Sequence, residues 1–341
     1  MSARREWLLR ARVVLVPVNR TAAVTGATGF IGWNLCEWLR DEGWSVRALV
    51  RPGSGKPTPA GVERLVVPLK QDELALSLQF AEVVFHLAAL TRAPNYSAYA
   101  RINAQGTHEV GLAARRTATR LVYVSSQAAG GPGTTETPRR EQDLPAPVSA
   151  YGASKLAGEK ALQQIDGLCW VVVRPSAVYG PRDKDFLILF QLAVWGLFPV
   201  IGDPRTAYTL IHVRDLVRGL EIAGRSSEAI GQEFFLGHPE ACTSEDILRA
   251  IADAVGRSHR PFRVPRSLLW SLCSLGNLGS VVGRTGALNR SRYAELTADG
   301  FVCCVEKFAT MLGFEATIPI AEGIAETAAW YREHGLLRPA P

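Results

Sequence analysis

The sequence lacks several features that would place it outside ordinary globular proteins. No apolar run reaches the roughly 18 residues that cross a bilayer, so a membrane-spanning helix is excluded. Internal repeats and low-complexity tracts are missing, which removes solenoids and disordered linkers. The six cysteines (Cys36, Cys169, Cys242, Cys273, Cys303, Cys304) lack paired metal-ligand spacing, so reduced thiols in a cytoplasmic protein, without a metal, are the simplest reading. Basic residues exceed acidic ones only mildly, 38 against 32 for a net charge of +6, and form no clustered stripe. That argues against nucleic acid as a partner and suits a small anionic ligand. The first twenty residues hold Arg4 and Arg5 like the start of a signal peptide. Arg10 and Arg12 interrupt the apolar part, however, and no small-residue cleavage site follows. A dispensable extension over 1–20 is expected, with a basic arm touching a membrane as the alternative.

What is present begins at Ala23–Trp33, AVTGATGFIGW. A short apolar run leads into Gly26, Gly29 and Gly32, spaced G-x-x-G-x-x-G, and then into a helical pattern. This is the build of a strand, a tight turn and a helix start. Gly26 permits the turn, Gly29 lets the backbone approach a pyrophosphate, and Gly32 lets helix and strand pack closely. Free N–H groups at the helix start would hold the phosphates, so the loop reads as a dinucleotide site.

The remaining elements alternate. A helix over Ile31–Asp41 precedes a strand at Ser45–Val50, and further strands are expected at Val62–Pro68, Val83–Ala89, Leu121–Ser126 and Trp170–Arg174. Helices are expected over Ser97–Arg115 and Tyr151–Gln164. This is an α/β pattern, a Rossmann-type doubly wound parallel sheet. Beyond Pro175 the pattern loosens toward a smaller, mostly helical C-terminal substrate lobe. The expected division is 21–175 plus 207–229 for the dinucleotide domain, and 176–206 plus 230–331 for the lobe. Within the lobe, Ser244 should cap a helix over Ser244–Val255, and the apolar, Gly- and Ser-containing Ser267–Val282 reads as an irregular lid. A shallow membrane contact is the other reading of that segment.

The acidic residue that would hold ribose hydroxyls at the end of the second strand is absent. The position is Val50, followed by Arg51, a guanidinium suited to a 2′-phosphate. NADP(H) is therefore favoured, with NAD(H) as the alternative. Tyr151 and Lys155 lie four apart on one helix and share a face. A free tyrosine titrates near pH 10, and an ammonium one turn away lowers that value toward useful acid–base work. Ser126, at a neighbouring strand end, is placed to donate to the substrate oxygen that Tyr151 protonates or deprotonates.

These motifs together resemble an extended short-chain dehydrogenase/reductase of the NAD(P)-dependent epimerase/dehydratase class. The resemblance rests on TGATGFIG (Thr25–Gly32), HLAA (His86–Ala89), NAQGT (Asn103–Thr107), YVSSQAAGGP (Tyr123–Pro132), YGASK (Tyr151–Lys155), RPSAVYGP (Arg174–Pro181) and IHVRD (Ile211–Asp215). It implies Ser126, Tyr151 and Lys155 as the catalytic set; Ser126 is preferred to Ser125 because the family's serine stands about 25 residues before the tyrosine. It implies cofactor contacts from Gly26, Thr28, Gly29, Phe30, Ile31, Arg51, Leu69, Ala88, Ala89, Thr91, Asn103 and Val124, then from Tyr151, Lys155, Pro175, Ser176 and Val178. It also implies a homodimer through the two helices expected over Ser97–Arg115 and Tyr151–Gln164. The family's aspartate after the third strand is replaced here by Pro68–Leu69, with Asp72 further on, which leaves the adenine contacts open.

On the substrate side, Gln127–Ala128 stands where dehydratases carry an acidic pair, which argues against elimination of water. Ala177 stands where sugar-nucleotide epimerases place an asparagine. The wording RPSAVYGP is nearest the 3β-hydroxysteroid dehydrogenase and dihydroflavonol reductase branch. Ser126, Gln127, Tyr179 and Arg205 are the candidate substrate residues. The expected reaction interconverts a ketone and an alcohol on a bulky apolar small molecule, steroid-, polyketide- or phenolic-like. The alternative is a nucleotide-sugar epimerase with tightly bound NAD, its diphosphate clamped by Arg205 and Arg292.

Overall fold

The computed structural model describes residues 20–93, 95–281 and 290–337. All but the last residue of the expected extension over 1–20 therefore lies outside the described residues. The first part of the chain runs β1 (Thr21–Thr25), α1 (Phe30–Asp41), β2 (Ser45–Val50), β3 (Glu63–Val66), α2 (Gln71–Leu78) and β4 (Val83–His86). It continues through α3 (Tyr96–Tyr99), a π-helical turn over Ala100–Gln105, α4 (Gly106–Arg116), β5 (Arg120–Val124), α5 (Gln127–Gly130), α6 (Ala150–Gln163) and β6 (Trp170–Pro175). The lobe opens with β7 (Ala177–Tyr179), α7 (Leu187–Val194), β8 (Phe198–Ile201), β9 (Ala207–Tyr208) and β10 (Leu210–His212). Then follow α8 (Val213–Arg225), β11 (Glu233–Leu236), β12 (Cys242–Thr243), α9 (Ser244–Val255) and β13 (Pro261–Val264). The last helices are α10 (Arg266–Val281), α11 (Arg290–Leu296), α12 (Glu306–Leu312) and α13 (Ile320–Glu333).

The main sheet has seven strands in the order β11-β6-β5-β4-β1-β2-β3, and every pairing in it is parallel. Such strands are covered on both faces, and β1 shows it directly. Ala22 and Val24 face a core shared with Leu35 and Leu39 of α1 and Leu216 and Leu220 of α8. Ala23 faces the opposite core, with Leu74 of α2, Val110 of α4 and Leu162 of α6. This is the expected doubly wound Rossmann-type sheet. The strand order reverses between β1 and β4, and the crevice above that reversal is where such sheets take ligands.

The lobe packs its own core from Phe190, Phe198, Ile247, Ile251, Ile324 and Tyr331. Three expectations change here. The strand Glu233–Leu236, read as part of the lobe, pairs with β6 as the edge of the main sheet, and Phe308 and Phe314 join the α1–α8 core. Helix α9 is capped by Thr243, whose side chain accepts from Asp246 N while Asp246 reaches back to Thr243 N. That reciprocal capping box outcompetes a cap at Ser244. The segment expected to form an irregular lid is the helix α10, because burial of Leu269 and Cys273 overrides its weak helix propensity. Among the described residues no helix is long and apolar enough to cross a membrane.

Candidate active site

The loop between β1 and α1 makes the first wall. Gly26 has φ +72°, and its carbonyl accepts from Gly29 N at 2.9 Å. A Cβ at Gly32 would stand 2.3 Å from Gly26 O, so only glycine lets α1 start this close to the loop. Helix α1 begins at Phe30 with no acidic residue in its first turn, and the N–H groups there have no intrahelical partners. This cradle fits a diphosphate, and Thr28 and Ile31 flank it half-buried.

The end of β4 is held by a buried relay. Thr25 Oγ1 bonds His86 Nδ1 at 2.7 Å, His86 Nε2 bonds Thr107 Oγ1 at 3.0 Å, and Ala88 N donates to Thr25 Oγ1 at 3.2 Å. Burial, with the neighbouring Lys155 charge behind it, pushes the His86 imidazole down to about 3, so it works as a neutral hydrogen-bond link. The relay fixes the backbone at Ala88, beside Ala89. At the end of β2, Arg51 is exposed and follows the buried Val50. Arg64 donates to Ser54 O at 2.7 Å and Lys56 O at 2.8 Å, pinning the loop that follows Arg51. Leu69 is half-buried against the start of α4.

Helix α6 carries the pair expected to do acid–base work. Ser149 caps it, accepting from Gly152 N at 2.9 Å, which sets Tyr151 in the first turn and Lys155 one turn on. Lys155 is 1% exposed; its Nζ donates to Val124 O at 2.7 Å and lies 4.2 Å from the centre of the Tyr123 ring. Burial pulls the ammonium down to about 7, against the opposing charge of Glu159. Ser126 Oγ accepts from Ala128 N at 3.2 Å as the cap of α5, which leaves its hydroxyl hydrogen to donate.

A cleft of about 200 Å³ joins these groups, with Ile31, Thr91, Ser126, Tyr151, Pro175, Ser176 and Val178 all in its walls. Ser176 Oγ is buried there without a hydrogen-bond partner among the described residues, as a contact for a nicotinamide carboxamide would be. The cradle and this orphaned hydroxyl stand at the two ends of one crevice, so the residues fit a dinucleotide. A larger cavity of about 390 Å³, around Phe80 and Arg116 between α2 and α4, holds none of these groups.

Other expected site residues have different placements. Asn103 is wholly buried and its amide is committed: Oδ1 accepts from Leu90 N at 2.7 Å, and Nδ2 donates to Leu90 O and Ser154 Oγ, both at 2.9 Å. It ties the loop after β4 to α6, so it positions the site rather than contacting a ligand. Tyr179, expected at the substrate, is buried in the lobe core against Phe186 and His212, with ring centroids 5.9 and 5.3 Å apart. Gln127 is buried behind Ser126 and does not line the cleft. Arg205 is exposed and bound to Asp203 at 3.0 Å, outside the cleft; the side chain of Arg292 lies outside the described residues.

Five further cleft residues had no such expectation: Arg92, Tyr99, Ser125, Asp185 and Glu295. Arg92 follows the loop after β4 and Asp185 belongs to the lobe, and the two form an ion pair across the cleft. Neither sits in a motif, and their pairing over 93 positions has no local signature. Ala177, noted as the replacement for an epimerase asparagine, does line the cleft.

Among known proteins the similarity is broad. The family model described as "NAD dependent epimerase/dehydratase family" matches residues 22–237. A ceramide reductase of Caulobacter vibrioides is 32% identical over 329 residues, covering 92% of this chain and 95% of that protein. The 3beta-hydroxysteroid-dehydrogenase/decarboxylase isoform 1 of Arabidopsis thaliana is 27% identical, covering 91% of this chain and 79% of its own. Among solved structures, MoeE5 in complex with UDP-glucose and NAD superposes with a TM-score of 0.74 at 25% identity, covering 92% of this chain and 99% of MoeE5. With the crevice, the helix-borne Tyr-x-x-x-Lys and these matches in place, the chain is an NAD(P)-dependent extended short-chain dehydrogenase/reductase and belongs to the NAD dependent epimerase/dehydratase family.

Proposed function

We propose that the protein is an NADP(H)-dependent oxidoreductase interconverting a ketone and an alcohol on a bulky, largely apolar small molecule. The observation that carries the reading is the single cleft in which Ser126 and Tyr151 face Pro175, Ser176 and Ala177. A bound nicotinamide supplies or accepts the hydride. Tyr151 Oη gives a proton to the carbonyl oxygen in reduction and takes it back in oxidation. Ser126 Oγ donates to the same oxygen and holds it at Tyr151. Lys155, when charged, favours the phenolate, and the reading gives it the ribose hydroxyls of the cofactor to hold. Arg51, exposed after Val50, suits a 2′-phosphate and supports NADP(H) over NAD(H). The similarity to a ceramide reductase and a hydroxysteroid dehydrogenase supports an apolar, lipid-like substrate. A homodimer through α4 and α6 belongs to the same reading.

A nucleotide-sugar epimerase is the second reading, favoured by the likeness to MoeE5 with UDP-glucose and NAD. Against it stand the placements of Ala177 in the cleft and of Arg205 outside it. A screen of carbonyls and alcohols by nicotinamide absorbance, on the parent chain and Tyr151→Phe, separates them. Turnover lost in the variant with cofactor binding retained supports the first reading. Tightly retained NAD without net consumption of added NADPH supports the second, and undiminished activity of Tyr151→Phe removes the acid–base assignment.

A further inference from the structure

The lobe carries an exposed apolar and aromatic surface at the turn after α7 and along β13 and α10. Trp195 is 68% exposed, Leu197 45%, Phe262 47%, Leu268 51% and Trp270 50%. The backbone brings Phe262 to the Trp195–Leu197 turn, and α10, with Leu268 and Trp270, follows β13 directly in the chain. Strands β8 and β13 pair with Phe262 opposite Pro199, which brings Phe262 beside the Trp195–Leu197 turn. Arg257 Nε donates to Val194 O at 3.1 Å, at the end of α7, and so stands next to Trp195. Phe198 points inward against His259, with ring centroids 5.2 Å apart, and leaves its neighbour Leu197 outside.

The exposed charge beside these residues is mainly positive. Between Asp253 and Glu295 the sequence has seven arginines and no acidic residue, more positive charge than the net +6 of the whole chain. Arg257, Arg260, Arg263 and Arg266 are exposed among the described residues. Asp203, the carboxylate that feels Arg263, is already bound by Arg205. Exposed tryptophan, phenylalanine and leucine rimmed by arginine is the composition that settles at a membrane interface, where rings enter the headgroup layer and guanidinium groups meet anionic lipid. A protein partner of ordinary surface would need acidic residues to match the arginines and would still face the two tryptophans; an anionic bilayer matches both at once.

We propose that this face docks the protein on the surface of an anionic lipid bilayer, without spanning it. Glu295, which ends the acid-free stretch of sequence, lines the cleft. The functional sense of the docking rests on the apolar-substrate reading, since a lipid-like molecule would be delivered from the bilayer. Binding itself needs neither cofactor nor turnover, so the two readings fail separately.

The test is co-sedimentation of the full chain with vesicles of phosphatidylcholine alone or mixed with phosphatidylglycerol, without nucleotide. Retention on the anionic vesicles that weakens as salt rises from ~0.1 M to ~1 M is expected. Arg263→Gln with Arg266→Gln should reduce partitioning about 30-fold, at about five-fold for each charge near the surface. Trp195→Ser with Phe262→Ser and Leu268→Ser should reduce it on both vesicle types, and these exposed positions leave the fold intact by circular dichroism. Absence of retention, or retention unchanged in both variants, overturns the proposal; the latter result would move binding to another segment, such as residues 1–20. Concentration-dependent self-association that the apolar variant abolishes, with no vesicle binding, assigns the face to a second copy and overturns it as well.

Discussion

Ser125 Oγ donates a 2.5 Å hydrogen bond to the buried Glu159 Oε1, while the adjacent Ser126 keeps a hydroxyl hydrogen to donate. Glu159 is fully buried and also takes Arg174 Nε and Nη2 at 3.0 and 2.6 Å. Arg174 in turn reaches Glu233 on the edge strand at 2.6 Å. One carboxylate thus ties the ends of β5 and β6 to α6, the three elements that bring Ser126, Pro175 and Tyr151 together. Burial works against the Arg174 charge, but Glu159 and Glu233 hold it firmly protonated.

The two serines should therefore separate by kinetics. Ser126→Ala is expected to lower kcat about 10²- to 10³-fold, as loss of a donor to the reacting oxygen does, and to cost about 1 kcal/mol of stability through the lost cap of α5. Ser125→Ala leaves a buried carboxylate oxygen short of a donor, costing about 1–3 kcal/mol in urea unfolding and only a few-fold in kcat. Glu159→Gln breaks a buried pair and should cost about 3–5 kcal/mol. The reverse pattern, an inactive Ser125→Ala beside an active Ser126→Ala, would reassign the catalytic serine.

Lys155 makes stability depend on pH in a definite direction. Its folded value is about 7 against an ordinary value near 10.5, so between those limits the unfolded chain holds a proton that the folded chain lacks. Stability of the cofactor-free protein should rise as pH climbs from about 7 toward 10.5, and the buried ammonium costs most below 7. His86, held at about 3, adds a second window: stability falls as pH drops from about 6.5 toward 3. Lys155→Met should abolish turnover yet raise resistance to urea at pH 6, by on the order of a few kcal/mol, with the advantage shrinking by pH 10. An advantage that stays constant with pH would show that the lysine is charged throughout.

The proposed choice of NADP(H) turns on Arg51. Its side chain is exposed at the end of β2, so replacing it costs the fold little. Arg51→Ala should reduce kcat/KM with NADPH about ten- to a hundred-fold, the worth of one charge-assisted phosphate contact, and leave NADH unchanged within a few-fold. Equal losses with both cofactors would assign Arg51 to the diphosphate or the loop, and the preference for NADP(H) would be gone.

What could be read from the sequence was what backbone geometry imposes locally. Gly26 and Gly32 are legible because no other residue permits their turn and contact. Tyr151 and Lys155 are legible because four-residue spacing fixes a helix face. The seventh strand, Glu233–Leu236, was misplaced because its pairing with β6 is a long-range fact with no local trace. Tyr179 sits in a recognisable motif, but which side of β7 faces the lobe core depends on Phe186 and His212, which come from separate segments. Asn103 looked like a ligand contact because its type and motif are visible while its partners, Leu90 and Ser154, are set by the fold.

The Arg92–Asp185 pair belongs to that hidden class and bears on substrate entry. Arg92 lies between β4 and α3 and Asp185 between β7 and α7, so their ion pair straps two separate segments across the cleft that holds Ser126 and Tyr151. The side chains are 32% and 46% exposed, so the pair contributes at most about 1 kcal/mol to stability. Its effect should fall on binding. Asp185→Asn leaves the Arg92 guanidinium without its carboxylate in the cleft and is expected to raise KM for a bulky apolar substrate several-fold, while kcat and Tm move little; Arg92→Gln is the matching single variant of the cycle. The double variant, with neither charge, should recover most of the parent KM. Additive losses in the double variant would show that the two residues act independently and that no strap exists.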